Sequence, residues 1–346
     1  MEKEAYRILV TGATGLVGSY VVRTLLANGY TDVTIIRRKT SDNALISDVI
    51  NRLKVVEADL NDIVGLEEAM VGITHVIHCG ALVSFDSRDR RPLIKTNVEG
   101  TANLINLSVE YGIKRFIHLS SVAALGRNSQ AGGVTDEYTP FEENPSNSYY
   151  SITKHQGELE VWRGKTEGLD VRILLPGLIL GSGFWKVGTN GFFNHVWRGS
   201  PFYPNGTTGF VDVRDLAEFA MRMLDYQGNE DKFLMIGHNE TYKKFLETIA
   251  NALGKKAPSI RARKWMLATA WRLDKLRSIF TGSRPMVTRE TATTSSKQYL
   301  FDNHRSLSIP GFQYTDFDET IWDIAGQYLE AAKNNFQPSS LKVHRI

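Results

Sequence analysis

The stretch Arg7-Ile8-Leu9-Val10-Thr11-Gly12-Ala13-Thr14-Gly15-Leu16-Val17-Gly18 decides the fold. An apolar run of strand character ends at Thr11, glycines follow at a spacing of three, and a helical pattern begins directly after them. Each glycine answers a separate demand. Gly12 lets the chain turn sharply, Gly15 lets backbone amides approach a pyrophosphate, and Gly18 lets the helix lie close on the strand. A diphosphate then sits on the helix N-terminus, where free N–H groups and the macrodipole favour negative charge. The strand before and the helix after separate this pattern from an ordinary Gly-rich turn. Gly12, Thr14, Gly15, Leu16, Val17 and Gly18 are therefore the candidate phosphate contacts of a dinucleotide site.

Working outward, strand and helix alternate. A helical pattern from Val21 to Asn28 stops at Gly29, and Asp32 to Ile36 reads as a second strand. Leu53 to Leu60 is a strand ending in an acid, Val64 to Val71 a helix, and Ile73 to His78 a fourth strand. A helix reaching Tyr111, the strand Phe116 to Ser121, a helix from Tyr149 to Arg163 and the strand Val171 to Leu175 complete the series. Such alternation predicts an α/β fold, a doubly wound parallel sheet with helices on both faces. Residues 1–180 form its dinucleotide-binding domain, with returning segments near 210–236 and 316–335. A smaller, mainly helical C-terminal substrate domain is expected from 181–209 and 237–315, and 337–346 as a flexible tail. Trp185, Phe192, Phe193, Trp197, Phe202 and Tyr203 crowd one stretch, which suits a pocket wall or a loop-rich core patch. Arg127 to Ser148, with Gly132-Gly133, Pro140 and Pro145, is too long for a plain connection and is expected to be a lid or binding loop.

Composition narrows the class. Hydrophobic residues make up 42%, enough for a sizeable core, so global disorder is excluded. A formal net charge of +3 is too small to imply a nucleic-acid partner. The single cysteine, Cys79, has no intramolecular partner and suits a reducing cytoplasm. The charged start Met1-Glu2-Lys3-Glu4 leads at once into the first strand, so no signal peptide is expected. No apolar run approaches the ~18 residues of a membrane span. The eight histidines show no ligand spacing, so no metal is expected, and His75 and His78 are read as packing or surface residues.

Arg37 and Arg38 follow the second strand directly. An acid about 20 positions past the glycines takes a ribose 2′-hydroxyl, whereas arginine accommodates a 2′-phosphate. NADP(H) is therefore the preferred cofactor, with NAD(H) as the alternative. Asp59 is placed to accept from the adenine amino group, or else to cap the helix that follows, and Cys79-Gly80-Ala81 pass under the cofactor.

Tyr150 and Lys154 stand four residues apart, on one face of a helix. A tyrosine of pKa ~10 needs roughly 4 kcal/mol of help to ionise near neutrality. An ammonium ~5 Å away supplies ~3 kcal/mol at an effective dielectric of ~20. Ser121 ends a strand on the carboxyl edge of the sheet, where ligands of doubly wound folds bind, and can hold the substrate oxygen that Tyr150 protonates.

Together these features resemble the extended short-chain dehydrogenase/reductase family with its NAD-dependent epimerase/dehydratase branch, built on the Rossmann fold. The matching segments are residues 11–18, Asp59-Leu60, Asn97-Val98-Glu99-Gly100-Thr101, Ser120-Ser121, Tyr150 to Lys154, Pro176, residues 210–217 and Phe301-Asp302-Asn303. The resemblance implies that Tyr150 is the acid/base, that Lys154 binds the nicotinamide ribose and lowers the tyrosine pKa, and that Ser121 orients the carbonyl. It also implies cofactor contacts at Leu60, Asn97 and Pro176, and a homodimer as an option through helices 101–111 and 149–163. Dehydratases of the family carry Asp-Glu where this chain has Val122-Ala123, and sugar-nucleotide epimerases commonly carry asparagine where it has Leu178. The pattern is closest to dihydroflavonol-reductase and 3β-hydroxysteroid-dehydrogenase members. An NADP(H)-dependent oxidoreductase of an apolar or aromatic ketone/alcohol is expected. The alternatives are a sugar-nucleotide epimerase with tightly bound NAD, for which Arg198, Arg214 and Arg261 offer charge to a diphosphate, and a non-enzymatic dinucleotide sensor.

Arg261 to Gly282 interleaves Arg261, Arg263, Lys264, Arg272, Lys275 and Arg277 with Trp265, Met266, Leu267, Trp271, Leu273, Leu276, Ile279 and Phe280, against one acid, Asp274. A basic amphipathic helix either lies on a membrane surface or forms the outer helix of a substrate domain, apolar face inward. The second arrangement is the expected one.

Overall fold

In the computed structural model, residues 5–126, 133–144, 147–185, 188–281, 283, 288–336, 341 and 343 are described. Seven strands, β1 (Arg7–Thr11), β2 (Asp32–Arg37), β3 (Lys54–Glu57), β4 (His75–His78), β5 (Arg115–Leu119), β6 (Val171–Pro176) and β7 (Lys232–Met235), form one sheet. All pairings are parallel, in the order β7-β6-β5-β4-β1-β2-β3. The order reverses between β1 and β4, and their carboxyl ends open the crevice where doubly wound folds bind ligands.

Helices α1 (Leu16–Ala27), α2 (Ile63–Met70), α3 (Gly100–Glu110), α4 (Tyr149–Thr166) and α5 (Val213–Arg222) cover the two faces. Side chains alternate across β1. Ile8 and Val10 enter the core beneath α1 and α5, while Leu9 enters the one beneath α2, α3 and α4. Burial on both faces is why the strands read as continuous apolar runs. A π-helical turn, Lys95–Glu99, leads into α3. Against it lies Gly157 of α4, where a Cβ would come within 2.4 Å of the Asn97 carbonyl oxygen.

A third core lies outside the sheet. Trp185, Phe193, Phe210 and Phe245 pack there with α6 (Tyr242–Ala252) and α8 (Phe317–Lys333). Trp185 and Phe193 are buried, with ring centroids 5.2 and 6.2 Å from Tyr328. Much of the aromatic stretch therefore serves packing. The 210–236 segment does return to the sheet as α5 and β7, but 316–335 joins this third core instead, because Ile321, Ile324 and Tyr328 of α8 face Phe210 and Phe245.

Three expectations are corrected. The described part of the long connection is tied down. Val134–Thr135 pairs with Leu300–Phe301, the Glu137 carboxylate accepts from the Leu234 amide at 2.8 Å, and Phe141 stacks on His155. Residues 127–132 and 145–146, Pro145 among them, lie outside the described residues. The tail is also anchored where it is described, since Leu341 is buried in the first core and Val343 packs against it. Finally, α7 (Lys264–Thr281) turns only part of its apolar set inward: Leu267 and Trp271 are half-buried, but Trp265, Leu273, Leu276 and Phe280 are all exposed.

Candidate active site

β1 delivers the chain to Gly12, which has φ +68° and lies so close to the β4 side that a Cβ would meet the Gly80 nitrogen at 2.7 Å. A Cβ on Gly18 would meet the Gly12 oxygen at 2.2 Å. Nothing larger than glycine fits either position. The Thr11 hydroxyl accepts from the Gly80 amide at 3.1 Å and lies 2.7 Å from His78 Nδ1, which fixes Gly80 against the glycine loop. Gly15 caps α1 without any side-chain hydrogen bond, and no acid lies in the first turn. This uncapped, uncompensated N-terminus is the donor set a dinucleotide pyrophosphate requires, so the residues present fit the group. Thr14, Leu16 and Val17 are half-buried around it and Ala81 is exposed. Burial pushes the Cys79 thiol up to about 12, against the nearby Lys154 charge, so it is no nucleophile.

Arg37 ends β2, and its Nη2 pairs with the Glu57 carboxylate of β3 at 2.6 Å, while its Nε is buried with no partner. Arg38 is exposed. The sequence places no acid at the end of β2, but the fold brings one from the neighbouring strand. Asp59 is exposed and accepts from the Asn61 backbone and side-chain nitrogens at 3.1 Å. The cap of α2 is Asp62, which accepts from the Gly65 amide at 3.2 Å, so the capping alternative for Asp59 is overturned. The Leu60 side chain underlies Gly80 and Gly100. Asn97 is buried and fully used: its oxygen accepts from the Leu82 amide at 2.8 Å, and its amide donates to the Leu82 carbonyl and Thr153. It positions the loop after β4. Pro176 ends β6, buried.

Across the crevice, Ser121 follows β5 and its hydroxyl accepts from the Ala123 amide at 3.1 Å. Ser148 caps α4 by accepting from the Ser151 amide at 2.9 Å, and Ser151 in turn donates to the Ala123 carbonyl at 2.8 Å. These bonds staple the start of α4 to the turn after Ser121 and bring the Tyr150 phenol beside the Ser121 hydroxyl. One turn on, Lys154 is 4% exposed and its Nζ donates to the Leu119 carbonyl at 2.7 Å. Burial pulls this ammonium down to about 8, with Glu158 and Cys79 opposing. Burial also raises the Tyr150 phenol, and the Ser121 bond only partly offsets it. The expected lowering of Tyr150 by Lys154 is thus not what this chain alone produces, because the ammonium is bonded to Leu119 and the phenol is desolvated. The resident form of Tyr150 is the protonated one.

Sequence reading missed Glu158, which is 3% exposed, accepts from Ser120 at 2.9 Å and pairs with Lys232 at 2.5 Å. Its position one turn after Lys154 was the available signal.

The family model described as NAD dependent epimerase/dehydratase family matches residues 8–237. The chain belongs to that family. Members of this extended short-chain dehydrogenase/reductase family are NAD(P)-dependent oxidoreductases. Sterol demethylase protein B of Methylococcus capsulatus is 32% identical over 259 residues, covering 73% of this chain and 76% of that protein. A putative dihydroflavonol 4-reductase of Synechocystis is 27% identical over 323 residues, covering 91% and 92%. The crystal structure of gox2253 superposes with a TM-score of 0.80 at 28% identity, covering 95% of this chain and 99% of that one.

In this member of the epimerase/dehydratase family, one side of Tyr150 is apolar. Phe85 packs edge-on against its ring at 5.6 Å, and the same loop exposes Val83. Arg214 is bound on two sides, to Asp212 at 2.6 Å and to Asp323 at 2.8 Å. Burial works against its charge, but the Asp212 bond and charge outweigh it and raise its pKa.

Proposed function

We propose that this protein interconverts a ketone and a secondary alcohol on an apolar or aromatic small molecule, with NADP(H) preferred and Tyr150 as acid/base. The observation that carries this reading is the half-buried, protonated Tyr150, set beside the Ser121 hydroxyl and against the Phe85 ring. A bound nicotinamide dinucleotide supplies or takes up the hydride. Ser121 donates to the carbonyl oxygen and orients it, and Tyr150 gives that oxygen its proton. Lys154, one turn away, favours the phenolate left behind. Phe85, edge-on to the Tyr150 ring, offers an apolar substrate a contact beside the reacting group. The names of the relatives from Methylococcus and Synechocystis, a sterol demethylase protein and a dihydroflavonol reductase, accord with a flat apolar substrate.

The test is NADPH oxidation with aromatic, steroid-like and aliphatic ketones, paired with a thermal-shift comparison of those ketones and UDP-sugars. Binding to the native state adds about 2.7 kcal/mol at a hundred times Kd. Stabilisation by UDP-sugars and none by ketones overturns the reading in favour of an epimerase. That second reading has one observation of its own, the Glu57 carboxylate beside Arg37, which suits a ribose hydroxyl.

Two outcomes follow for the cofactor and the pH profile. Arg37→Asp should erase the NADP(H) preference, because each charge-assisted phosphate contact contributes ~1.5–3 kcal/mol, or roughly 10–100-fold in Kd. Equal calorimetric affinities for NADP(H) and NAD(H) in the unmodified protein sink the assignment. Ketone reduction should fall as pH rises through about 8, where Lys154 loses its proton. A rate flat from pH 6 to 10 contradicts a role for that charge.

A further inference from the structure

Helix α7 has two apolar sides, and only one of them is used. Leu267, Trp271, Asp274 and Ser278, at i, i+4, i+7 and i+11, share the inward face and are half-buried or buried. There Arg88 donates to the Ser278 hydroxyl at 3.2 Å. On the opposite face, Trp265, Thr269, Leu273, Leu276 and Phe280 form one stripe at helical spacing. Its large side chains are 66%, 61%, 50% and 84% exposed, in the order Trp265, Leu273, Leu276, Phe280. Among the described residues, the other exposed large apolar side chains are not aligned along one long helix in this way.

The charges around the stripe are one-sided. Exposed Arg272, Lys275 and Arg277 border it, and exposed Arg261 and Arg263 precede the helix. Arg272 stacks over the Trp271 ring at 4.7 Å and donates to the Ala268 carbonyl, on the flank of the helix between its two faces. The helix's single acid, Asp274, is turned inward at 13% exposure and pairs with Arg277 at 2.7 Å. No described helix is long and apolar enough to cross a membrane.

We propose that α7 is an interfacial helix that docks the folded protein onto an anionic lipid surface. Trp265, Leu273, Leu276 and Phe280 enter the headgroup–acyl boundary, and Arg272, Lys275 and Arg277 meet lipid phosphates. Charge selects this occupant over a second copy of the chain. Two such helices meeting about a two-fold axis would set the same cations against each other, with no exposed acid on the helix to relieve them. The placement also bears on the active site. Arg88, which ties α7 down, lies three residues after Phe85, the ring against Tyr150. Docking therefore brings the loop that carries Phe85 toward the bilayer, on the side from which an apolar ketone would come. This last step rests on the reading given under Proposed function; the docking itself does not.

The test uses the full chain and vesicles without substrate. In sedimentation with 30% phosphatidylglycerol in phosphatidylcholine, the protein should partition at low salt. Partitioning should fall at least tenfold on pure phosphatidylcholine or in 0.5 M salt. The variant Leu273→Glu/Phe280→Glu should lose at least tenfold more of its vesicle binding while keeping its melting temperature and dinucleotide affinity, since both positions face solvent. Arg272→Gln/Lys275→Gln should flatten the salt dependence. No partitioning at low salt, equal binding to neutral vesicles, or an unchanged glutamate variant each overturns the proposal. So does a solution dimer that Leu273→Glu/Phe280→Glu dissociates, which would assign the stripe to a second copy. Vesicle binding without ketone turnover would remove the substrate reading and leave the docking helix in place.

Discussion

Tyr150→Phe is expected to lower turnover by ~10²–10⁴-fold while leaving dinucleotide affinity unchanged. The ring and its edge-on contact with Phe85 remain, so the packing that positions α4 is preserved, and only the transferable proton is lost. Two features make the loss specific. The phenol is held protonated by burial, so it is the form that donates, and its partner Ser121 carries no charge that could replace it. The substitution also frees the Ser121 hydroxyl without burying a new charge, so stability should change little. Single-turnover reduction of whichever ketone the panel identifies, measured beside calorimetric dinucleotide binding, checks both halves. Reduction at the unmodified rate would move the proton donor elsewhere. A fall in dinucleotide affinity equal to the fall in rate would instead make Tyr150 part of the binding surface.

The fold was legible from the glycine loop because the signal there is local. Gly12, Gly15 and Gly18 each answer a backbone constraint within a few residues, and burial on both faces leaves unbroken apolar strands. The placement of Tyr150, Lys154 and Ser121 was legible for a related reason: helical spacing and a strand end fix where they stand. What the sequence did not disclose depends on contacts between distant segments. Glu57 reaches Arg37 only because β3 lies beside β2, and Glu158 meets Lys232 only because β7 takes the edge of the sheet. Asn97 looked like a cofactor contact, yet both ends of its amide are occupied by the loop it holds. The length of 127–148 suggested a lid, but length does not reveal that Glu137 satisfies an edge-strand amide. The orientation of α7 is not legible for a simpler reason. With apolar residues on two sides, periodicity does not say which side turns inward.

Arg214→Met is expected to destabilise the protein by about 3–5 kcal/mol, the effect of breaking a buried pair by removing one partner. Sequence alone offered this arginine to a substrate diphosphate; the fold spends it on structure. Asp212 caps α5 by accepting from the Arg214 amide at 2.7 Å, and its carboxylate also takes the Arg214 guanidinium and the Thr320 hydroxyl. Asp323 on α8 holds the other arm. Arg214 therefore joins α5, which covers the sheet, to α8, which belongs to the third core. Methionine keeps much of the side-chain volume and removes the charge, leaving Asp212 with a side chain 2% exposed and no cation beside it. Arg214→Lys should recover only part of the loss, since an ammonium cannot bond two carboxylates with a planar fork. Urea denaturation of the three proteins, without ligand, measures this directly. Stability within about 0.5 kcal/mol of the unmodified protein, with weakened UDP-sugar binding, would show that the arginine serves a ligand after all, and the epimerase reading would gain the contact it now lacks.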